Sequence, residues 1–213
     1  MIAAVMKKLI IPCAISLFWG SCNNVPEDTK GPLNTDQGAP ITAAPIAAPE
    51  PEIKTFTTKT GKVIILKEEH PIGMSLSNVT IGFAKDSLQP FFLHDIDPIN
   101  KVLLGDLDGN GFEEIYIIST SAGSGSGGSI HGFASNRDKS LSIISIPEIG
   151  SADLAKGGKY EGYQGHDEIN IIDNTLERAF PVKPDKSSKR VIKYKLRQGE
   201  SGYQLIAISS NLN

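Results

Sequence analysis

Residues 191–197 alternate by character: Ile192, Tyr194 and Leu196 interleave with Lys193, Lys195 and Arg197. A period of two sends successive side chains to opposite faces of an extended chain, so this segment predicts a strand with one buried and one wetted side. The same reading places strands at 55–58, 63–66, 76–83, 101–104, 114–119, 129–134, 141–146, 168–172, 176–182 and 203–208. Turn chemistry separates several of them: Lys59-Thr60-Gly61-Lys62, Asp173-Asn174 and Gln198-Gly199-Glu200-Ser201-Gly202. No segment sustains a helical period, although 151–156 could form a turn or so of helix. The expectation is an all-β, antiparallel domain over 53–213, a sandwich or a barrel.

The first fifty residues follow other rules. Lys7 and Lys8 precede an apolar run, 9–19, that is too short to span a bilayer and has the length of the central part of an export signal. Gly20-Ser21-Cys22 then resembles the lipobox of bacterial lipoproteins, with Trp19 where Leu is usual. That resemblance implies cleavage after residue 21, lipid on Cys22 and anchoring to the cell envelope, in the periplasm or at the outer membrane. The alternative is an ordinary secretory peptide. From 22 to 52 the chain carries Pro26, Pro32, Pro40, Pro45, Pro49 and Pro51 among small and polar residues. Such a stretch buries too little apolar surface to offset its ordering entropy, and it predicts a disordered tether.

Charge and cysteine content narrow the function. Removing residues 1–21 takes away Lys7 and Lys8 and no acid, so a formal charge of −3 becomes −5. Nothing there marks a nucleic-acid binder. Cys13 and Cys22 are the only cysteines, so the β domain has neither a disulfide nor a thiolate site.

Two loops carry candidate chemistry. In Asp106-Leu107-Asp108-Gly109-Asn110-Gly111-Phe112-Glu113-Glu114, the side chains of Asp106, Asp108, Asn110 and Glu114, with the Phe112 carbonyl, offer oxygen ligands for a hard cation. An EF-hand needs an acid at the twelfth position, and here that residue is Ile117. The pattern resembles the short calcium loops of FG-GAP-type repeats, in a single copy, which excludes a propeller. A structural calcium is the one cofactor it suggests, and none is required. A loop whose Asx side chains bond their own backbone is the alternative.

The second loop, Ser121-Ala122-Gly123-Ser124-Gly125-Ser126-Gly127-Gly128-Ser129, contains G-x-G-x-x-G after a strand. Another strand follows it, so no helix N-terminus is available for a pyrophosphate. His166-Asp167-Glu168 could be read as a catalytic cluster beside Ser124. Neighbours on one strand face opposite ways, however, so His166 and Asp167 cannot pair as a triad does. His70, His94 and His131 lack ligand-like spacing. No catalytic residue and no small-molecule substrate are expected.

The run from Asp106 to Tyr116, followed by Ser121-Ala122-Gly123-Ser124-Gly125-Ser126, resembles the periplasmic inhibitors of invertebrate-type (i-type) lysozyme. So do Gly162-Tyr163-Gln164-Gly165-His166-Asp167-Glu168, Phe180-Pro181, Tyr194-Lys195-Leu196 and, upstream, His70-Pro71-Ile72-Gly73 with Ser75-Leu76-Ser77. The resemblance covers most of 54–208 in order. It implies an antiparallel β-sandwich whose Ser-rich loop, ending Ser-Gly-x-Tyr, enters the lysozyme cleft. Carried onto this chain, the binding loop is Gly123, Ser124, Gly125, Ser126 and Gly127. Ser124 and Gly125 match the motif, Ser126 is its variable position, and Gly127 stands in place of Tyr. The expected partners are an i-type lysozyme and, through the lipid, a membrane. The competing expectation is a calcium-stabilised surface binding or adhesion lipoprotein without lysozyme inhibition.

Overall fold

The computed structural model describes residues 47, 49–85, 90–182 and 188–213, all within the second of the chain's two units, Pro45–Asn213. The expected export signal, Cys22 and the tether up to 46 lie outside the described residues, and the first strand begins at Glu52. Among the described residues the strands, in chain order, are β1 (Glu52–Thr57), β2 (Val63–Glu69), β3 (Ser77–Phe83), β4 (Phe91–Ile96), β5 (Ile99–Gly105), β6 (Glu114–Thr120), β7 (Gly128–Ser135), β8 (Leu141–Ser145), β9 (Glu168–Ile172), β10 (Thr175–Pro181), β11 (Lys189–Gly199) and β12 (Gly202–Leu212). A single helical turn, α1 (Ser151–Leu154), sits inside the expected 151–156. No helix among the described residues is long and apolar enough to cross a membrane.

The strands form two packed sheets, as expected for a sandwich. β1 to β4 pair in sequence as antiparallel neighbours. The larger sheet has the order β5-β6-β7-β8-β12-β11-β10-β9. It departs from the antiparallel expectation once: β12 runs parallel to β8, with Tyr203 opposite Ile144. The chain leaves the sheet after β8, builds α1 and the hairpins of β9 to β11, and returns beside the strand it left. The Asp173-Asn174 turn joins β9 to β10 with both residues at positive φ (48° and 52°), the geometry that matches the twist of a tight hairpin.

The large sheet curls until its edge strands approach each other. Lys101 Nζ of β5 donates to Asn170 Oδ1 of β9 at 2.9 Å. At Gly105 a Cβ would lie 2.9 Å from Ile171 Cδ1, so glycine permits the seam to close. The curl encloses one core, containing Tyr116, Ile118, Ile169, Leu176, Phe180, Ile192, Tyr194 and Leu196. A second core, with Ile64, Leu66, Val79, Ile81, Ile115, Ile117 and Phe133, lies between the sheets. β6 belongs to both: Ile115 and Ile117 face the small sheet, while Tyr116 and Ile118 face the interior of the curl. This explains its continuous apolar run, since a strand covered on both faces has no wet side to mark with polar residues.

Candidate functional site

The Ser/Gly loop, 121–127, is the connection of the β6–β7 hairpin, whose ladder ends at Thr120 opposite Gly128. The Ser121 N–H donates to the Gly127 carbonyl at 3.0 Å and extends the ladder by one step. Beyond it the Ser126 N–H donates to the Gly123 carbonyl at 2.9 Å, closing a turn in which Ser126 takes φ 41°. Gly123, Ser124 and Gly125 are exposed at the tip, while Ser126 and Gly127 are half-buried. Of the five residues expected to bind a partner, 123–126 thus form one turn with Ser124 and Gly125 at its two central positions, and Gly127 extends the ladder beneath it.

The loop rests on a second segment, 160–167. The His166 N–H donates to the Gly125 carbonyl at 2.8 Å. Gly165 makes this approach possible: it has φ +82°, and a Cβ there would lie 1.7 Å from the Gly125 carbonyl oxygen. At the foot of the loop the Gly128 N–H donates to Asp167 Oδ2 at 2.6 Å, and its carbonyl accepts from Arg178 Nη2 at 2.7 Å. Arg178 meets Asp167 with two prongs, Nε to Oδ1 at 2.7 Å and Nη2 to Oδ2 at 3.0 Å. The Asp167 side chain is 0% exposed and that of Arg178 is 7% exposed, so this is a buried ion pair with further hydrogen bonds from the Gly128 N–H and to the Gly128 carbonyl.

Aromatic rings complete the support. Tyr163 Oη donates to Asp167 Oδ2 at 2.7 Å and accepts from Arg178 Nη2 at 3.0 Å. Burial, followed by the hydrogen bond to Asp167, pushes the Tyr163 hydroxyl up to about 12, so it remains a donor at neutral pH. The guanidinium carbon of Arg178 lies 5.5 and 5.3 Å from the ring centres of Tyr160 and Tyr163. Tyr163 meets Phe180 edge-on at 4.9 Å, and Tyr160 hydrogen-bonds Tyr194 through their hydroxyls. The base of the loop is therefore tied to the core inside the curl.

The sequence offers His166-Asp167-Glu168 only as a catalytic cluster that strand alternation argues against, and it does not reveal this pair. His166 is exposed and acts through its backbone, while the Asp167 side chain turns inward to Arg178. The signal available in the sequence was Arg178 itself. It occupies an inward position of β10 between Leu176 and Phe180, where a cation requires a buried partner.

Beside the loop lies an open groove of about 640 Å³ whose lining includes Asp97, His131, Glu148, Tyr163 and Arg178. Burial pushes the His131 imidazole below its ordinary value, against the opposing charge of Asp97, and so keeps it neutral at pH 7. Its Nε2 lies 3.4 Å from Ser119 Oγ. No carboxylate pairs with it in the manner of a catalytic dyad among the described residues.

At the other end of β6 is the acidic loop. Carboxylate oxygens of Asp106, Asp108 and Glu114 lie within 4.8 Å of one another. Gly109 and Gly111, at φ +77° and +88°, let the chain fold back on itself. The Asn110 N–H donates to Asp106 Oδ1 and Asp108 Oδ1 at 2.9 and 3.0 Å, and the Gly111 N–H donates to Asp106 Oδ2 at 3.0 Å. Asn110 Nδ2 donates to Asp108 Oδ2 at 3.0 Å, so Asn110 meets the carboxylates as a donor. Its Oδ1 accepts from the Phe112 N–H at 2.8 Å. Phe112 is half-buried beside Asp108 in a shallow pocket. Three of the five expected ligand residues are thus brought together through side-chain oxygens.

Glu114 is fully buried. Burial above all, with the charges of Asp108 and Asp106, pushes its carboxyl up to about 8 against the hydrogen bond from the Leu107 N–H. Burial likewise raises Asp108. No protein-family model, curated protein or solved structure matches this chain.

Proposed function

We propose that the protein inhibits an i-type lysozyme by placing the loop 123–127 in the enzyme's active-site cleft. The observation that carries this reading is an exposed Gly-Ser-Gly tip standing on a buried, hydrogen-bonded Asp167–Arg178 pair. A loop already held in one shape loses little freedom on binding, so more of its contact energy appears as affinity. Glycosidase clefts hold two carboxyl groups about the scissile bond. The Ser124 hydroxyl can donate to such a carboxylate, and its glycine neighbours keep the tip narrow enough to enter. Gly127 lacks a positive φ, and a Cβ on it would meet Tyr163 Oη at an ordinary 3.6 Å. The backbone here could therefore carry the motif's tyrosine without strain, and Gly127 forgoes the contact area that such a ring supplies. The mechanism is occlusion, and no covalent chemistry is asked of this chain.

The test is inhibition of i-type, c-type and g-type lysozymes by the purified protein. Inhibition of the i-type enzyme is expected, and its absence sinks the proposal. Ser124→Ala should weaken inhibition by about 1.5–3 kcal/mol, the range for a hydrogen bond to a charged group, or roughly 10- to 150-fold in the inhibition constant. Unchanged inhibition by that variant would show that another surface makes the contact.

We further infer lipid anchoring through Cys22. Metabolic labelling with palmitate should mark the wild type and leave Cys22→Ser unlabelled and released from membranes. A labelled variant contradicts the assignment.

A further inference from the structure

Glu114 Oε2 accepts from the Leu107 N–H at 2.7 Å, whereas Oε1 is buried and has no hydrogen-bond partner. Burying a carboxyl oxygen with no hydrogen-bond partner is costly in either protonation state, and native proteins rarely do so without a water or an ion to meet it. The same carboxylate lies with those of Asp106 and Asp108, and among the described residues no Lys or Arg pairs with any of the three. The neighbouring Glu113 shows the contrast. It faces the other way and is compensated by the Lys59 N–H at 2.6 Å and Lys59 Nζ at 3.6 Å. The other grouping of potential ligands, Glu52, Glu68 and His70, is also compensated. Lys54 Nζ lies 3.2 Å from Glu52 and 3.7 Å from Glu68, and the Ile99 N–H donates to Glu68 Oε1 at 3.1 Å.

We propose that Asp106, Asp108 and the buried carboxyl of Glu114 bind a calcium ion. All three donors are hard oxygens, the class that calcium prefers. One oxygen from each lies within 4.8 Å of the others, close to the spacing set by calcium–oxygen bonds of about 2.3–2.6 Å, so a small closing of the cluster lets one ion touch all three. The backbone donors already fixing Asp106 and Asp108 hold those side chains in place. Glu114 is rooted in β6, so the ion ties an exposed loop to the strand shared by both cores. The site is independent of the Ser/Gly loop at the opposite end of β6, and its failure would leave the inhibitor reading untouched.

The experiment uses the full chain, stripped with a chelator and titrated with calcium chloride alone. At a hundredfold excess over the dissociation constant the melting temperature should rise by roughly 5–10 °C, with one ion bound per chain by calorimetry. Asp108→Asn, at the exposed side of the cluster, and Glu114→Gln, which keeps the buried shape, should each lose most of that rise. No rise in the wild type would overturn the proposal, and so would a full rise in Asp108→Asn. Should Glu114→Gln fail to fold, Asp108→Asn alone decides.

Discussion

Asp167→Ala is expected to lower the stability of the β domain by about 3–5 kcal/mol, the usual cost of removing one member of a buried ion pair. The reason lies in what remains. Arg178 would keep its charge inside β10 with only the Gly128 carbonyl, the Tyr163 hydroxyl and two aromatic faces around it. The Gly128 N–H would also lose its acceptor. Chemical denaturation, followed by far-ultraviolet circular dichroism, gives the number directly. Replacing both partners, Asp167→Leu with Arg178→Met, should recover much of the loss, because an apolar pair carries no desolvation cost. A loss below about 1 kcal/mol in the single variant would mean that water reaches Arg178.

Gly165→Ala should have the second large effect, for two separable reasons. A Cβ at φ +82° strains the backbone by roughly 1–2 kcal/mol. The same Cβ falls on the Gly125 carbonyl oxygen, a backbone atom that cannot rotate away, so the hydrogen bond from His166 to Gly125 must break at about 0.5–1.5 kcal/mol. The combined loss is about 1.5–3.5 kcal/mol, and lysozyme inhibition should fall with it because the tip is no longer held. Gly61→Ala is the control: it has φ +83°, and nothing lies within 4 Å of its Cβ position, so only the first cost applies. Equal destabilisation by the two substitutions would show that the close approach at Gly165 contributes nothing.

The strands with one wet face were legible, because alternation such as that of Ile192, Tyr194 and Leu196 is a direct imprint of the pleat. β4 escaped notice. Its Phe91-Phe92-Leu93-His94-Asp95-Ile96 run places Phe92 and His94 outward at a sheet edge, and Asp95 sits at φ 52°, so the period is interrupted. The start of β5 was read two residues late for a related reason: its register shifts between Ile99 and Lys101. The parallel junction of β8 with β12 depends on a return across nearly sixty residues, and no local pattern encodes such a pairing. Both candidate loops were visible from composition alone. Their supports were not, since Arg178 and Gly165 lie 50 and 40 positions from the groups they meet at Gly128 and Gly125, a relation created only by folding.

Strand β6 has a further consequence as the common wall of two cores. Ile115 and Ile117 cannot be exposed without opening the layer between the sheets, and Tyr116 and Ile118 cannot be exposed without emptying the curl. Neither sheet can melt without exposing one apolar face of β6, so the two sheets should unfold together. The exposed tip of the Ser/Gly loop begins three residues beyond the end of this strand, so it is mounted on an element held from both faces. Such a mounting would let the tip vary in sequence with little penalty to the foldedness of the whole.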